Sequence, residues 1–490
     1  MLSSFTFFLV SSLNAQKYIP ADPFDLKLFE RNQFLDETNV QNSATFIRPF
    51  FIQDKTQFQI KLTSEFYFNN GLPNQENMDV RYFGKGIGRF VSFRATYLGK
   101  YLSFVFEPYH LSGQNQTVDE ISRTGPYVVL NDYRIIPSEN FSKGGLRQAA
   151  AFIHWKGLGL GYGKLNNWWG EGQHTAIAMT NNTHAFNAYN LGTIKELRWK
   201  NIGVMGRYVF AKLNEFEDFR AIYYTSLTVG GTYYGKTILS LGLSRNYLSG
   251  GMDVGVQWKA KDAAQLVFEG LFVENIEKLK YTVDGHDPFD QTLEGFFSLT
   301  FPESKMKIFF EIGINDHRQN MVDLISQPDH AMATIIGFRK YGMFGYDNYY
   351  LGFEYLNLTK GKFWGQRATP NFYDRANYNH FSFEGRRWGA HSGSDSDDLL
   401  IEFGYLSSNA SFIPRLNFER HGVIAHQPAE VKIELGFEVS FILRNMRWVL
   451  IYESENARHL GFPQDNVYAG VITGKRKLQT CIFRFEYLLK

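Results

Sequence analysis

Two stretches of this sequence gather side chains that could do chemistry. The first is Lys164-Leu165-Asn166-Asn167-Trp168-Trp169-Gly170-Glu171-Gly172-Gln173-His174, followed by Met179-Thr180-Asn181-Asn182. The second is Gly385-Arg386-Arg387-Trp388-Gly389-Ala390-His391-Ser392-Gly393-Ser394-Asp395-Ser396-Asp397-Asp398, with Trp364, Tyr373 and Tyr378 just upstream. Flat aromatic faces beside amides, carboxylates and a guanidinium suit sugar rings, which offer C–H faces for stacking and hydroxyls for hydrogen bonds. Trp168, Trp169, Glu171, Gln173, His174, Asn181, Asn182, Trp364, Arg387, Trp388, His391, Asp395, Asp397 and Asp398 are therefore candidate carbohydrate contacts. A structural reading competes with this one: Trp and Tyr near strand ends serve as interfacial girdles in membrane barrels, and Gly-rich aromatic runs fold loops into barrel mouths.

Other chemistries fit these residues less well. Asp395, Asp397 and Asp398 could hold calcium, but the EF-hand spacing with its Gly and terminal Glu is missing, and a solvated turn or loop-to-loop salt bridges account for the run without an ion. No metal and no cofactor is assigned. His391, Ser392 and Asp395 supply the residue types of a hydrolytic triad, yet closeness in sequence is poor evidence for triad geometry. Neither a G-x-S-x-G elbow nor an H-E-x-x-H helix occurs, so no catalytic residue and no enzymatic activity is assigned. A net charge of +2 argues neither for nucleic acid nor for a polybasic grip on headgroups. The one cysteine, Cys481, excludes internal disulfides and Cys-based metal clusters, and it reads as an inert thiol on an apolar strand face.

The elements that must carry these loops are strands. Val431, Ile433, Leu435, Phe437, Val439 and Phe441 alternate without a break with Lys432, Glu434, Gly436, Glu438 and Ser440. One face is wholly apolar and the other is charged, which predicts a lipid side and a wet side rather than a dry core. At about 3.3 Å per residue the run is long enough to cross a bilayer at a tilt. Leu239, Leu241 and Leu243, the series Ile308, Phe310, Ile312 and Ile314, and Phe58, Ile60 and Leu62 repeat the pattern. Plentiful Gly (44), Phe (46) and Tyr (28) against only 14 Pro agree with long strands and aromatic girdles. The whole chain yields twenty candidate strands, from 56–69 to 478–489, including 149–155, 157–164, 194–200, 202–211, 252–260 and 265–273, and the number is best held at eighteen to twenty.

Short and long links alternate between these strands. Tight joins such as Gly99-Lys100, Lys156, Asn201 and Arg444-Asn445 lie between long links such as 110–148, 165–193, 359–398 and 455–477, with one short exception at Gly250-Gly251. Bacterial barrels show this parity, with short turns in the periplasm and long loops outside. The expectation is an all-β transmembrane antiparallel barrel over 56–490 in the outer membrane of a Gram-negative cell, with lipid as its surround.

The amino terminus supports export. Ser3 to Leu13 is apolar or small, and Leu13-Asn14-Ala15 precedes Gln16, so 1–15 reads as a signal peptide although no Lys or Arg opens it. Residues 16–55 would be a periplasmic segment, partly helical. Asp22 can cap a helix whose first residue is Pro23, and Leu26, Phe29 and Phe34 form an apolar stripe; an extended lead-in is the alternative.

Trp168-Trp169-Gly170-Glu171-Gly172 with Asn181-Asn182, the earlier Ile47-Arg48-Pro49, and Gly389-Ala390-His391-Ser392-Gly393-Ser394-Asp395-Ser396-Asp397-Asp398-Leu399 resemble the capsule-assembly Wzi family of outer-membrane proteins, most nearly its Bacteroidetes form. The resemblance spans roughly 44–490. It implies eighteen strands, a helical periplasmic portion, and a lectin-like role in binding and anchoring capsular or exopolysaccharide at the cell surface. Eighteen strands would leave two of the candidates surplus, expected among 149–164 or 194–211. The rival readings are a porin for small solutes and, further off, an outer-membrane hydrolase. No protein partner follows from the sequence.

Overall fold

A computed structural model describes residues 18–35, 45–52, 56–213, 221–251, 258–270, 289–315, 318, 320–361, 368–374, 378, 380–463 and 473–489. The expected signal peptide, 1–15, lies outside the described residues. The strands form one closed antiparallel barrel. In chain order they are β1 Gln57–Asn69, β2 Gly86–Leu98, β3 Leu102–Gly113, β4 Phe141–Trp155, β5 Leu158–Leu165, β6 Phe186–Thr193 continued by Leu197–Trp199, β7 Ile202–Leu213, β8 Ile222–Tyr234 and β9 Ile238–Gly250. They continue as β10 Phe289–Phe301, β11 Met306–Asn315, β12 Met332–Met343, β13 Tyr346–Asn357, β14 Ser396–Leu406, β15 Ala410–His421, β16 Glu430–Leu443, β17 Met446–Arg458 and β18 Arg476–Leu489. Both pieces of β6 pair with β7, so the wall has eighteen strands. β18 pairs back onto β1, with Arg484 opposite Glu65, and closes the ring.

Alternation decides which way each side chain faces. In β1, Phe58, Leu62, Phe66 and Phe68 are exposed outside, while Gln59, Thr63, Glu65 and Asn69 are buried inside. Ile153, Leu160, Leu241, Leu243, Leu435 and Phe441 extend the apolar exterior. A belt of that extent is stable against lipid, and closing the sheet leaves no backbone donor row facing hydrocarbon. Trp155 (65 % exposed) and Trp199 (70 %) stand outward with Phe344 and Tyr346 at the short-turn rim, where amphipathic rings sit at the headgroup level. No helix among the described residues is long and apolar enough to cross a membrane.

The surplus strands are not where they were expected. The segments 149–164 and 194–211 are genuine wall, whereas 252–260 and 265–273 are not strands over their described residues. Gly250 and Gly251 adopt φ values of +81° and +69°, which turn the chain out of β9. The Asp262 carboxylate then accepts the Lys259 N–H at 3.0 Å and starts a short helix, Ala260–Gln265, followed by a 3-10 turn, Leu266–Phe268. Alternating Val and Gly had imitated a strand there. β9 pairs directly with β10, so 251–288 connects two neighbouring wall strands and Gly250-Gly251 is no longer a short link of its own.

The inner face is charged and, at the residues below, buried. Lys432, Glu434, Arg484 and Glu486 are all buried, as charges that fill the interior. Arg484 meets Glu65 at 2.7 Å, and Glu486 meets Lys61 at 2.8 Å and Arg447 at 3.0 Å. Such pairs are tolerated in a bore that other chain segments fill, because each charge keeps its partner.

One of those segments is helix α1, Pro23–Leu35, whose first residue is the predicted Pro23. It lies inside the ring. Lys27 reaches Glu402 at 2.8 Å, Asp25 meets Arg447 at 3.3 Å and Lys61 at 3.4 Å, and Glu30 meets Arg339 at 2.7 Å. These partners sit at the short-turn ends of β14, β17, β1 and β12, so α1 occupies that end of the bore. Leu26 and Phe34 are buried, and Phe29 packs against the same core.

Candidate functional site

The tryptophan loop, 166–185, folds inward from the other end. Trp168 and Trp169 are both 0 % exposed. They form a two-residue antiparallel ladder with Ile47-Arg48, and Trp169 bridges Met179. The Arg48 guanidinium lies 4.4 Å from the Trp168 ring centre, while Trp169 Nε1 donates to the Tyr224 hydroxyl at 3.0 Å. In this arrangement neither ring offers a free face to a sugar.

The backbone of the loop explains why it goes in. Glu311, on β11, accepts the N–H groups of Glu171 (2.5 Å) and Gly172 (3.0 Å). Glu354, on β13, accepts those of Gln173 (2.9 Å), His174 (3.0 Å) and Thr175 (2.9 Å). Five consecutive donors that have no ladder of their own are thus satisfied by two wall carboxylates. Gly170 is required at the bend: its φ is +139°, and a Cβ there would lie 2.9 Å from both Glu311 oxygens. The Glu171 carboxylate takes Lys307 (2.7 Å), Ser298 (2.8 Å) and Thr45 (2.5 Å), and Gln173 Nε2 donates to Glu30 of α1 at 3.1 Å.

The second loop packs on the first. Trp388 stacks on Tyr224 with centroids 4.7 Å apart and is buried. Arg387 donates to the carbonyls of His380 (2.8 Å) and Pro126 (2.9 Å), and so ties the loop to the segment 114–140. Asn182 Nδ2 donates to Gly389 O at 2.8 Å, and Asn181 donates to Asn77 O at 3.1 Å. Trp364 lies outside the described residues.

The acidic run disperses. Asp395 accepts the N–H groups of Ile424 (3.0 Å) and Ala425 (2.8 Å), Asp397 pairs with Arg420 (2.8 Å to Nε), and Asp398 faces His174 and His391. The three carboxylates do not converge on a common calcium position. Nor is there a triad: His391 turns to Asp398 at 3.1 Å rather than to Asp395, and the Ser392 hydroxyl is engaged by Ser396 at 3.0 Å.

The structure does bring together one cluster that the sequence did not suggest. Glu76, His174 and His391 offer ligand atoms within 4.8 Å of one another, with Asp398 adjoining. Burial alone would lower the His174 pKa, but Asp398 and Glu76 outweigh it and hold the imidazole well above its ordinary value; His391 is raised for the same reason. Burial would raise Glu76, and the two histidines instead hold it at about 2. Glu76 stands in a loop without a motif, and Glu311 and Glu354 look like any other inward strand carboxylate, so no pattern in the sequence singled these three out.

No curated protein matches the chain by sequence. Among solved structures it is similar to Wzi of Escherichia coli, described as an outer membrane protein involved in group 1 capsule assembly and a carbohydrate-binding β-barrel. That match has a TM-score of 0.59 at 12 % identity, covering 96 % of this chain and 99 % of that one. OccAB2 of Acinetobacter baumannii (9 % identity, 88 % and 98 % covered, TM-score 0.43) and OpdL of Pseudomonas aeruginosa (10 %, 89 % and 99 %, 0.42) superpose far more loosely. The eighteen-strand barrel is shared with the capsule protein, and residues 73–417, which include both inward loops, match the family described as capsule assembly protein Wzi, to which this chain belongs.

Proposed function

We propose that this protein binds capsular or other exopolysaccharide and anchors it at the outer face of the membrane without turning it over. The observation that carries this reading is the filling of the bore by α1 from one end and the two loops from the other, which leaves the outer rim to meet a ligand. A groove of about 820 Å³ opens there, lined by Leu72, Lys85, Glu120, Ile121, Lys475 and Lys477 among others. Its mix of apolar and charged groups suits a polyhydroxylated chain, and its volume is that of a binding cleft. Family membership and the carbohydrate binding described for Escherichia coli Wzi support the same reading.

In this scheme Trp168, Trp169, Glu171, Gln173, Arg387 and Trp388 act from beneath, holding the loops that shape the rim. Residues 1–15 are a cleaved leader, 16–55 the segment that enters from the periplasmic side, and 56–490 the barrel, with lipid around its apolar belt. The test is binding of the purified barrel to polysaccharide extracted from the host's own surface. Wild type is expected to bind, and Lys85→Glu with Lys477→Glu to weaken binding about tenfold, roughly 1.4 kcal/mol. Absence of wild-type binding rejects the role; unchanged affinity in the folded double variant moves the contact away from this groove.

A further inference from the structure

His174, His391, Asp398 and Glu76 come from three separate outer connections: 70–85, 166–185, and 358–395 with the start of β14. His174 Nε2 and His391 Nε2 both lie near Asp398 Oδ2, at 2.9 Å and 3.1 Å, and His391 Nε2 is 3.8 Å from Glu76 Oε2. These separations are close to those between ligands around a tetrahedral ion, where bonds of about 2.0–2.2 Å set atoms a little over 3 Å apart.

His391 Nδ1 is buried without a hydrogen-bond partner, and His174 Nε2 and His391 Nε2 converge on one oxygen, Asp398 Oδ2. Buried polar atoms are nearly always satisfied, and coordination to an ion is one of the ways in which they are. Meanwhile Asn417 Nδ2 occupies the other carboxylate oxygen, Asp398 Oδ1, at 2.5 Å. Glu76 Oε1 sits 2.9 Å from His174 Nδ1, which favours the proton on Nδ1 and leaves the lone pair on Nε2, the arrangement by which a carboxylate orients a ligating imidazole. A cavity of about 10 Å³, room for one small species, adjoins His391 between Gln75, Asn131 and Asn182.

We infer that His174, His391 and Asp398, with Glu76 as fourth ligand or orienting carboxylate, form a binding site for a divalent transition metal of the zinc type. Two imidazoles select against calcium and magnesium, which take oxygen. The ion replaces protons on the histidines, so binding releases protons while the cluster keeps its charge balance. Its effect is to clip three outer connections together beneath the rim, independently of whether the groove binds glycan.

The experiment uses the full chain in detergent, stripped with a chelator and desalted, then loaded with zinc alone. One retained equivalent per chain is expected, not displaced by excess calcium or magnesium, and lost in His174→Gln with His391→Gln. No retained zinc in wild type, displacement by calcium, or equal zinc in the folded double variant overturns the site. Should the double variant lose the heat-modifiable migration of a folded barrel, cobalt-loaded wild type decides. Intense visible bands of a four-coordinate nitrogen and oxygen site support the assignment, and the weak spectrum of hydrated cobalt refutes it.

Discussion

At the scale of single residues, the loop chemistry was legible as chemistry but not as location. Trp168-Trp169 and Trp388 were read as faces for sugar, and the types do suit it; burial against Arg48 and Tyr224 is set by contacts that no spacing encodes. A Trp faces water or core with equal ease in sequence, whereas a lipid-facing strand residue has one choice. Gly170 is the residue where the inward course is most sharply imposed. Gly170→Ala forces a side chain into a left-handed conformation and onto the Glu311 carboxylate, and is expected to lower stability by about 1–3 kcal/mol. Denaturant midpoints of the detergent-solubilised barrel measure this, and an unchanged midpoint would show that the loop is not held as described.

Among the elements, the wall was read almost strand for strand because contact with hydrocarbon enforces alternation. It failed over the described parts of 252–260 and 265–273, where Lys259 and Asp262 start a short helix that runs on into a 3-10 turn. Helix α1 was visible in Asp22-Pro23, yet its seat inside the ring depends on ion pairs with residues far along the chain. Glu30 is the centre of that seat: it accepts both Nε (2.7 Å) and Nη2 (2.9 Å) of Arg339 and the Tyr341 hydroxyl (3.1 Å). Glu30→Gln leaves a buried guanidinium without its counter-charge and is expected to cost about 3–5 kcal/mol in the same denaturation assay. Burial alone would raise the Glu30 carboxyl; Arg339 and Lys307 override it and hold it at about 2. Because the folded value is the lower one, its contribution is complete above the ordinary 4.5 and fades as pH falls from there through about 2. Protease access to α1 should therefore stay closed at pH 5 and rise only in that acid window; opening on the alkaline side would contradict the pairing.

For the whole molecule, the period-two pattern and the parity of links conveyed a membrane barrel, while the state of its interior was hidden. A charged inward face does not tell in sequence whether the lumen is open or filled, and it is the paired, buried state of Lys432, Arg484 and Glu486 that tells. A bore packed from both ends is expected to be silent in planar bilayers, and a large steady current from wild type would restore the porin reading. The placement of the indoles has a consequence for spectroscopy. Trp155 and Trp199 look out at the short-turn rim, whereas Trp168, Trp169 and Trp388 are sealed within. The protein's ultraviolet emission thus includes a membrane-side population, open to quenchers carried on lipid, and a shielded one that reports on whether the interior plug is still in place.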